Sequence, residues 1–482
     1  MTSGRALYSP ARPALSIHID ALRPGSLNHL TVNDPLEPTF RCPGQSQPIS
    51  LAIHLARLSD GYEACRDCEH RRETGSLPPR RITAPSHASL PALTDEALTG
   101  VYLNQLGPTE ASQFAMALGM WLRTRAAKTT SAPTVVIGSD GRPLAAEILA
   151  AVCEGMRFTG ARVIDVGGVT AACLAFAIDH LKADGGLLVG NAAGDPHTIG
   201  LKVWGSDARP LSRDEGLSDI VQIASGPIDR PVRRFGSLRR FHADVPYLAC
   251  LHKYFHALRP LRLVLDTSCR PLMRYLDTLR EQVACEVIAA RQPDTHVVAF
   301  KAVASEARAE IARRFFGPPQ KPTSGDRLPQ IARPTISEIV AHGVERSGAH
   351  FGMWIDGDGE ACRVFDERGV EVPHNRLLSL LAESLLREHP HRSVVIEDAS
   401  CESRITQLGG VPVHSGGTRS EIDQAMRTSD ALLAGGPSGR FCYTEHIPSA
   451  DALKTLTLLL GILSQSDRRL SEVVDLGFMI SD

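Results

Sequence analysis

A unit that recurs along the chain limits its fold more than any other feature. A β-branched run breaks at an acidic residue and a short loop, then enters a helical segment. It reads V-V-I-G-S-D-G-R-P-L from Val135, L-V-L-D-T-S-C-R-P-L from Leu263 and V-V-I-E-D-A-S-C-E-S-R from Val394. The D-x-S-C quartets of the last two start at Asp266 and Asp398, a difference of 132 residues, and the first unit lies a similar distance upstream. So long a period is too large for a solenoid repeat and suits duplication of whole domains. Each unit is followed by a second apolar strand: A-R-V-I-D-V-G, A-C-E-V-I-A-A and G-G-V-P-V-H-S. From about residue 92 short β-branched runs alternate with longer amphipathic ones, the rhythm of α/β layers. The expectation is three successive, similar α/β/α domains over residues 89–230, 231–372 and 373–482, each a small sheet covered by helices. A chain of 482 residues has room for them at roughly 100 to 200 residues per domain.

Composition narrows the partners. Lys plus Arg number 52 against 54 for Asp plus Glu, a formal charge of -2, so no global field draws a polyanion, and nucleic acid is not expected as the main partner. The run T-L-T-L-L-L-G-I-L at 455–463 is too short for a bilayer, which needs about 20 residues, so no membrane span is expected. The first residues lack the apolar core of a secretory signal and the 11 Cys are scattered, which makes the cytoplasm the default compartment.

Residues 1–88 read as an appended module and linker, broken by Pro and Gly and ending in G-S-L-P-P-R-R-I-T-A-P-S. F-R-C-P and A-C-R-D-C-E-H-R set Cys42 against Cys65, Cys68 and His70. A C-x-x-C turn presents two thiolates to one tetrahedral ion, so these four residues are a candidate structural Zn²⁺ set, with His54 a rival ligand and a redox or incidental thiol pair the alternative. Cys153, Cys173, Cys250, Cys285 and Cys362 lie in or beside apolar runs and read as core thiols. The basic R-R-F-G-S-L-R-R-F at 233–241 reads as the solvated edge of a linker between the first two domains.

With three domains in view, A-D-G-G-L-L-V-G-N-A-A-G-D-P-H-T-I-G-L-K-V-W-G at 183–205 resembles the active-site region of the α-D-phosphohexomutases, the family of phosphomannomutase and phosphoglucomutase. V-V-I-G-S-D-G-R, L-R-P-L-R-L-V-L-D, D-G-D-G-E and G-G-P-S-G-R fall in the family's order, so the resemblance spans roughly residues 92 to 480. It implies a phosphoserine that exchanges its phosphoryl group with a sugar phosphate. Counting from Gly186 to Gly200, that serine falls on Ala192, the adjacent His on Ala193 and the Asn on Gly194. A methyl group has no oxygen to carry a phosphoryl group. His197 and Thr198 are chemically able neighbours that also read as plain loop residues. Lys202 is retained where the family places a general acid/base or phosphate contact, and reads equally as a surface lysine at a strand edge.

Other departures accompany that one. The family's metal loop corresponds to Asp356, Asp358 and Glu360, a carboxylate set suited to Mg²⁺ or, more plainly, an acidic turn; the loop's Arg falls on Ala361. In the sugar-recognition loop the Glu is absent, while Ser438 remains and Arg440 replaces the His. Arg142, Lys202, Ser438 and Arg440 are the candidate substrate contacts. Thr99 stands at the family's first-loop Arg, and the fourth, phosphate-clamping domain is expected to be absent. The reading is a phosphohexomutase relative without turnover, binding a phosphorylated hexose or a protein partner through the old cleft. Its alternatives are a mutase or phosphotransferase with a substitute nucleophile, and a scaffold whose function rests on the N-terminal module.

Overall fold

A computed structural model of the chain describes residues 39–41, 48–50, 53–55, 57, 63–65, 68–73, 91–125, 132–190, 198–229, 231–255, 258–280, 285–290, 335–445 and 447–479. Two compact units are present, residues 1–87 and 88–482. In the smaller, β1 (Thr39–Phe40) pairs antiparallel with β2 (Ile49–Ser50), and short 3₁₀ turns cover Glu63–Cys65 and Glu69–Arg72.

The larger unit begins with β3 (Ala92–Leu93), β4 (Ala97–Val101) and α1 (Pro108–Arg125). It continues through β5 (Thr134–Ser139), α2 (Pro143–Phe158), β6 (Arg162–Gly168), α3 (Ala171–His180), β7 (Gly185–Gly190) and β8 (Thr198–Trp204). After α4 (Ser218–Ala224) come β9 (Leu238–Arg240) and α5 (Asp244–Leu251). The second sheet is built from β10 (Arg262–Thr267), α6 (Arg270–Arg280), β11 (Glu286–Ala289), α7 (Ile336–Ser347), β12 (Phe351–Ile355) and β13 (Cys362–Phe365). The third follows α8 (His374–Glu388), with β14 (Ser393–Ile396), α9 (Glu402–Gln407), β15 (Val411–His414), α10 (Arg419–Ser429), β16 (Leu433–Gly435), β17 (Cys442–Thr444) and β18 (Pro448–Ala450). The helices α11 (Ala452–Ser464) and α12 (Leu470–Met479) complete it.

The repeat read from the sequence is present as topology. The strands run β6-β5-β7-β8, β11-β10-β12-β13 and β15-β14-β16-β17 in the three sheets. In each, the first strand of the unit pairs parallel with the second and third, and the third pairs antiparallel with the fourth. Parallel neighbours need a crossover, and a helix lies in each one. Capping boxes start two of these helices, Thr335 with Glu338 on α7 and Thr418 with Glu421 on α10.

One segment differs from expectation. Leu238–Arg240, assigned by sequence to the second domain and to a linker edge, is a strand of the first sheet, with Leu238 paired parallel to Val163. Its side chains are exposed, but its backbone satisfies the hydrogen-bonding edge of β6. Cys153, Cys173, Cys285 and Cys362 are buried, and Cys250 is partly so.

A single apolar cluster runs through all three sheets, from Ile164 and Leu188 through Leu263 and Phe351 to Val394 and Leu433, closed by Leu456 and Leu459 of α11. Where its layers meet, the Tyr247 hydroxyl donates to Asp451 Oδ2 at 2.8 Å. Packing at core density resists deformation, so the loops at the carboxyl ends of β5, β12 and β16 are held in fixed relation. Among the described residues no helix is long and apolar enough to cross a membrane.

Candidate functional site

The β12–β13 hairpin carries the acidic loop. Gly359, with φ +80°, makes the turn that an L side chain would strain. The Asp356 N–H donates to the Ala361 carbonyl at 3.0 Å, and Asp356 Oδ1 accepts the Glu360 N–H at 2.8 Å. Neighbouring elements stitch the loop down: Ala171 N–H donates to the Asp358 carbonyl, Ala452 N–H to Gly359 and Cys362 N–H to Gly439. The Asp358 and Glu360 side chains are thereby buried between the three sheets, 2% and 4% exposed.

Lys202 of β8 points into this loop. Its Nζ lies 2.5 Å from Asp358 Oδ2 and 2.7 Å from Glu360 Oε2, and its side chain is 6% exposed. Burial opposes the ammonium charge, but Asp358 and Glu360 outweigh it and raise the Lys202 pKa above its ordinary value. Burial likewise opposes the Glu360 carboxylate, yet Arg419 and Lys202 hold its pKa down to about 2. Asp356 goes the other way: burial, then the Asp358 charge, push its carboxyl well above the usual carboxylate range.

Two guanidinium groups complete the cluster. Arg419 Nε lies 3.0 Å from Glu360 Oε1, and the Arg419 guanidinium sits 4.2 Å over the Trp204 ring. Arg440 Nη1 and Nη2 donate to the two oxygens of Glu96 at 2.9 and 2.7 Å, and its Nε lies 3.7 Å from Glu360 Oε2. The Arg419 N–H also donates to Glu96, at 2.9 Å. Ala171, Trp204, Glu360, Arg419 and Arg440 border a cavity of about 20 Å³, room for a single water.

Ser438 is also engaged: its hydroxyl donates to Glu397 Oε1 at 2.5 Å and its N–H to Glu397 Oε2 at 2.7 Å. Built on Gly436, a Cβ would stand 2.6 Å from Glu397 Cβ, so Glu397 of the β14 end fills the space beside the recognition loop. Arg142, at the end of β5, donates from Nε to Asp140 Oδ2 at 2.7 Å and from Nη1 to the Thr198 carbonyl at 3.3 Å. Its Nη2 is buried and has no hydrogen-bond partner among the described residues.

The acidic loop, Lys202 and Arg440 are thus brought together, while Ser438 and Arg142 are held by separate carboxylates. Ala192, with His197, lies outside the described residues, and Thr99 is buried in β4, opposite Gly200. Of the two readings of Lys202, the surface lysine is excluded by its burial against two carboxylates.

Among the described residues neither metal expectation is matched by an open ligand set. Mg²⁺ requires carboxylate oxygens at about 2.0 to 2.1 Å in a near-octahedral shell. Here Lys202 and Arg419 face the Asp358 and Glu360 oxygens, and Asp356 turns one oxygen to its own loop, so in this arrangement the residues do not fit a divalent ion. In the smaller unit Cys42 lies outside the described residues, Cys65 and Cys68 are buried, and the His70 Nδ1–H donates to Glu73 at 2.9 Å. The His54 ring stacks on Phe40 at 4.1 Å and its Nε2–H donates to the Glu73 carbonyl. Among the described residues no three His, Cys, Asp or Glu side chains are grouped to hold a metal.

Sequence reasoning missed Arg419, Glu96 and Glu397. Arg419 carried a weak signal: it opens a helix, where the dipole disfavours a cation, a cost that a nearby carboxylate offsets.

A family profile described as "Phosphoglucomutase/phosphomannomutase, alpha/beta/alpha domain I" matches residues 97–226. A phosphomannomutase of Salmonella montevideo is 26% identical over 350 residues, 71% of this chain and 72% of that one. "Phosphohexose mutases" of Xanthomonas campestris pv. campestris is 26% identical over 392 residues, 80% of each chain. Among solved structures, a phosphoglucomutase/phosphomannomutase family protein of Burkholderia thailandensis superposes with a TM-score of 0.63 over 80% of each chain at 20% identity, a likeness of fold.

Proposed function

This chain belongs to the α-D-phosphohexomutase family, and from that premise we propose that its cleft binds a phosphorylated hexose without interconverting it. The observation that carries the binding half is Arg142. Its guanidinium is fixed by Asp140 and the Thr198 carbonyl, its side chain is 13% exposed, and Nη2 has no partner among the described residues. A buried donor without an acceptor costs about 1 to 3 kcal/mol, and a phosphate oxygen relieves that cost through a charge-assisted hydrogen bond. Glu397 and Ser438 of the third sheet offer oxygen to sugar hydroxyls.

The loss of turnover rests on Ala192 and Ala361. The first offers no oxygen to carry the phosphoryl group. The second offers no guanidinium to the transition state, a loss that typically costs on the order of 100-fold or more in rate.

Two measurements test the proposal. Calorimetry with glucose 1-phosphate, mannose 1-phosphate and their 6-phosphates is expected to show saturable binding weakened at least tenfold by Arg142→Ala, the factor equivalent to about 1.4 kcal/mol. Silence at millimolar ligand removes the binding half. Conversion of glucose 1-phosphate to glucose 6-phosphate above background removes the other half and favours a mutase with a substitute nucleophile, the activity for which the relatives are named.

A further inference from the structure

We infer that the Lys202 ammonium is the resident cation of the Asp356–Glu360 loop, standing where a divalent ion would otherwise bind and making this chain independent of metal.

The geometry is that of a cation site already filled. Lys202 Nζ contacts carboxylate oxygens from alternate loop residues at once, Asp358 at 2.5 Å and Glu360 at 2.7 Å. All three side chains are at most 6% exposed, so the pairs are held away from solvent screening. Two further oxygens of the loop are also engaged: Arg419 takes the other Glu360 oxygen, and Asp356 Oδ1 accepts the loop's own N–H.

Charge points the same way. Lys202, Arg419 and Arg440 stand against the carboxylates they pair with, Asp358, Glu360 and Glu96, three positive groups to three negative, while Asp356 is turned to its own loop. A divalent ion entering this cluster would have to expel the ammonium into low-dielectric surroundings or sit beside it against like-charge repulsion. Lys202 has little freedom to withdraw, since its strand is laddered on both edges, to Leu188 of β7 and to Ala97 of β4. The ammonium is tethered to the fold, and its effective concentration at the loop exceeds that of free ions.

The test uses metal alone and is therefore independent of sugar binding: a failed sugar titration leaves it standing, and its own failure leaves the sugar proposal standing. Mg²⁺ and Mn²⁺ are titrated into EDTA-treated full-length chain by calorimetry, with melting curves recorded in parallel. Wild type is expected to bind neither and to keep its melting temperature up to about 10 mM ion, whereas a bound ion would raise it by mass action. Lys202→Gln and Lys202→Ala are expected to melt lower in EDTA, and to recover part of the loss with Mg²⁺ at one ion per chain. If either variant is unfolded without metal, folding on addition of Mg²⁺, read by circular dichroism, is the same gain. One equivalent of Mg²⁺ or Mn²⁺ bound by wild type overturns the inference. So does the absence of any gain in both variants, because Lys202 would then not be what stands in the ion's place.

Discussion

Arg440 holds Glu96 by both terminal nitrogens, at 2.9 and 2.7 Å, across 344 residues of sequence. The pair joins the start of the first sheet to the loop after β16 in the third, and each side chain is about one-fifth exposed. Glu96 also accepts the Arg419 N–H, so one carboxylate ties two cations of the cluster to the first domain.

Removing Arg440 leaves Glu96 partly buried without its counter-charge, and neutralising Glu96 leaves Arg440 only the Glu360 carboxylate, at 3.7 Å. Glu96→Gln and Arg440→Ala are each expected to cost about 1 to 3 kcal/mol, and the double variant less than their sum, with a coupling of about 1 kcal/mol or more. Urea unfolding of the four forms gives the cycle. Strict additivity would show that the contact does not join the sheets energetically.

Tyr247 and Asp451 provide a second junction, and this one is buried. The hydroxyl donates at 2.8 Å, while Asp451 also caps α11 by accepting the Lys454 N–H at 2.9 Å. Tyr247→Phe leaves a buried carboxylate oxygen short of a donor and is expected to lower stability by about 1 to 3 kcal/mol. A melting curve unchanged from wild type would mean that the hydroxyl contributes nothing at this junction.

If the proposed lack of turnover holds, one oxygen placed at residue 192 is not expected to supply it. Ala192→Ser supplies the missing oxygen, but residue 361 still lacks a guanidinium, and Lys202 remains paired with Asp358 and Glu360. The variant is expected to stay at background in glucose 1-phosphate to glucose 6-phosphate conversion, and to show no phosphate adduct by intact mass after exposure to a hexose 1,6-bisphosphate. Conversion above background would mean that an oxygen at residue 192 is enough for turnover whatever stands at residue 361.

The three sheets were legible because their first strands are unbroken apolar runs of a kind that buried parallel strands require, each followed by the same loop. β9 was not, because Leu238, Arg239 and Arg240 have neither alternation nor an apolar run; they form a strand only because β6 presents an edge. The acidic loop could be read from alternating carboxylates. That its cation comes from Lys202, 158 residues away, could not, since an ion pair between sheets leaves no local period. Glu397 was hidden similarly: it stands in its own strand unit, and only the fold lays it against Ser438.

Glu445 makes its own contribution to the pH dependence of stability. Its Oε1 is approached by Lys454 Nζ at 2.7 Å, the Tyr254 hydroxyl at 2.7 Å and Lys253 Nζ at 3.1 Å. Burial alone would raise this carboxyl, but the Lys454 charge and these hydrogen bonds hold it down to about 2, against an ordinary 4.5. A carboxyl whose folded pKa is depressed contributes stability that is fully present above its unfolded pKa and is lost as the pH falls through its folded one. The contribution should therefore be complete above about 4.5 and gone near 2. Glu445→Gln cannot titrate, so the melting-temperature gap between wild type and variant is expected to be widest at neutral pH and to close progressively across that interval. Melting curves taken at steps from neutral pH downward read the gap directly. One that stays constant to the acid end would mean that Lys454, Tyr254 and Lys253 do not stabilise the ionised form.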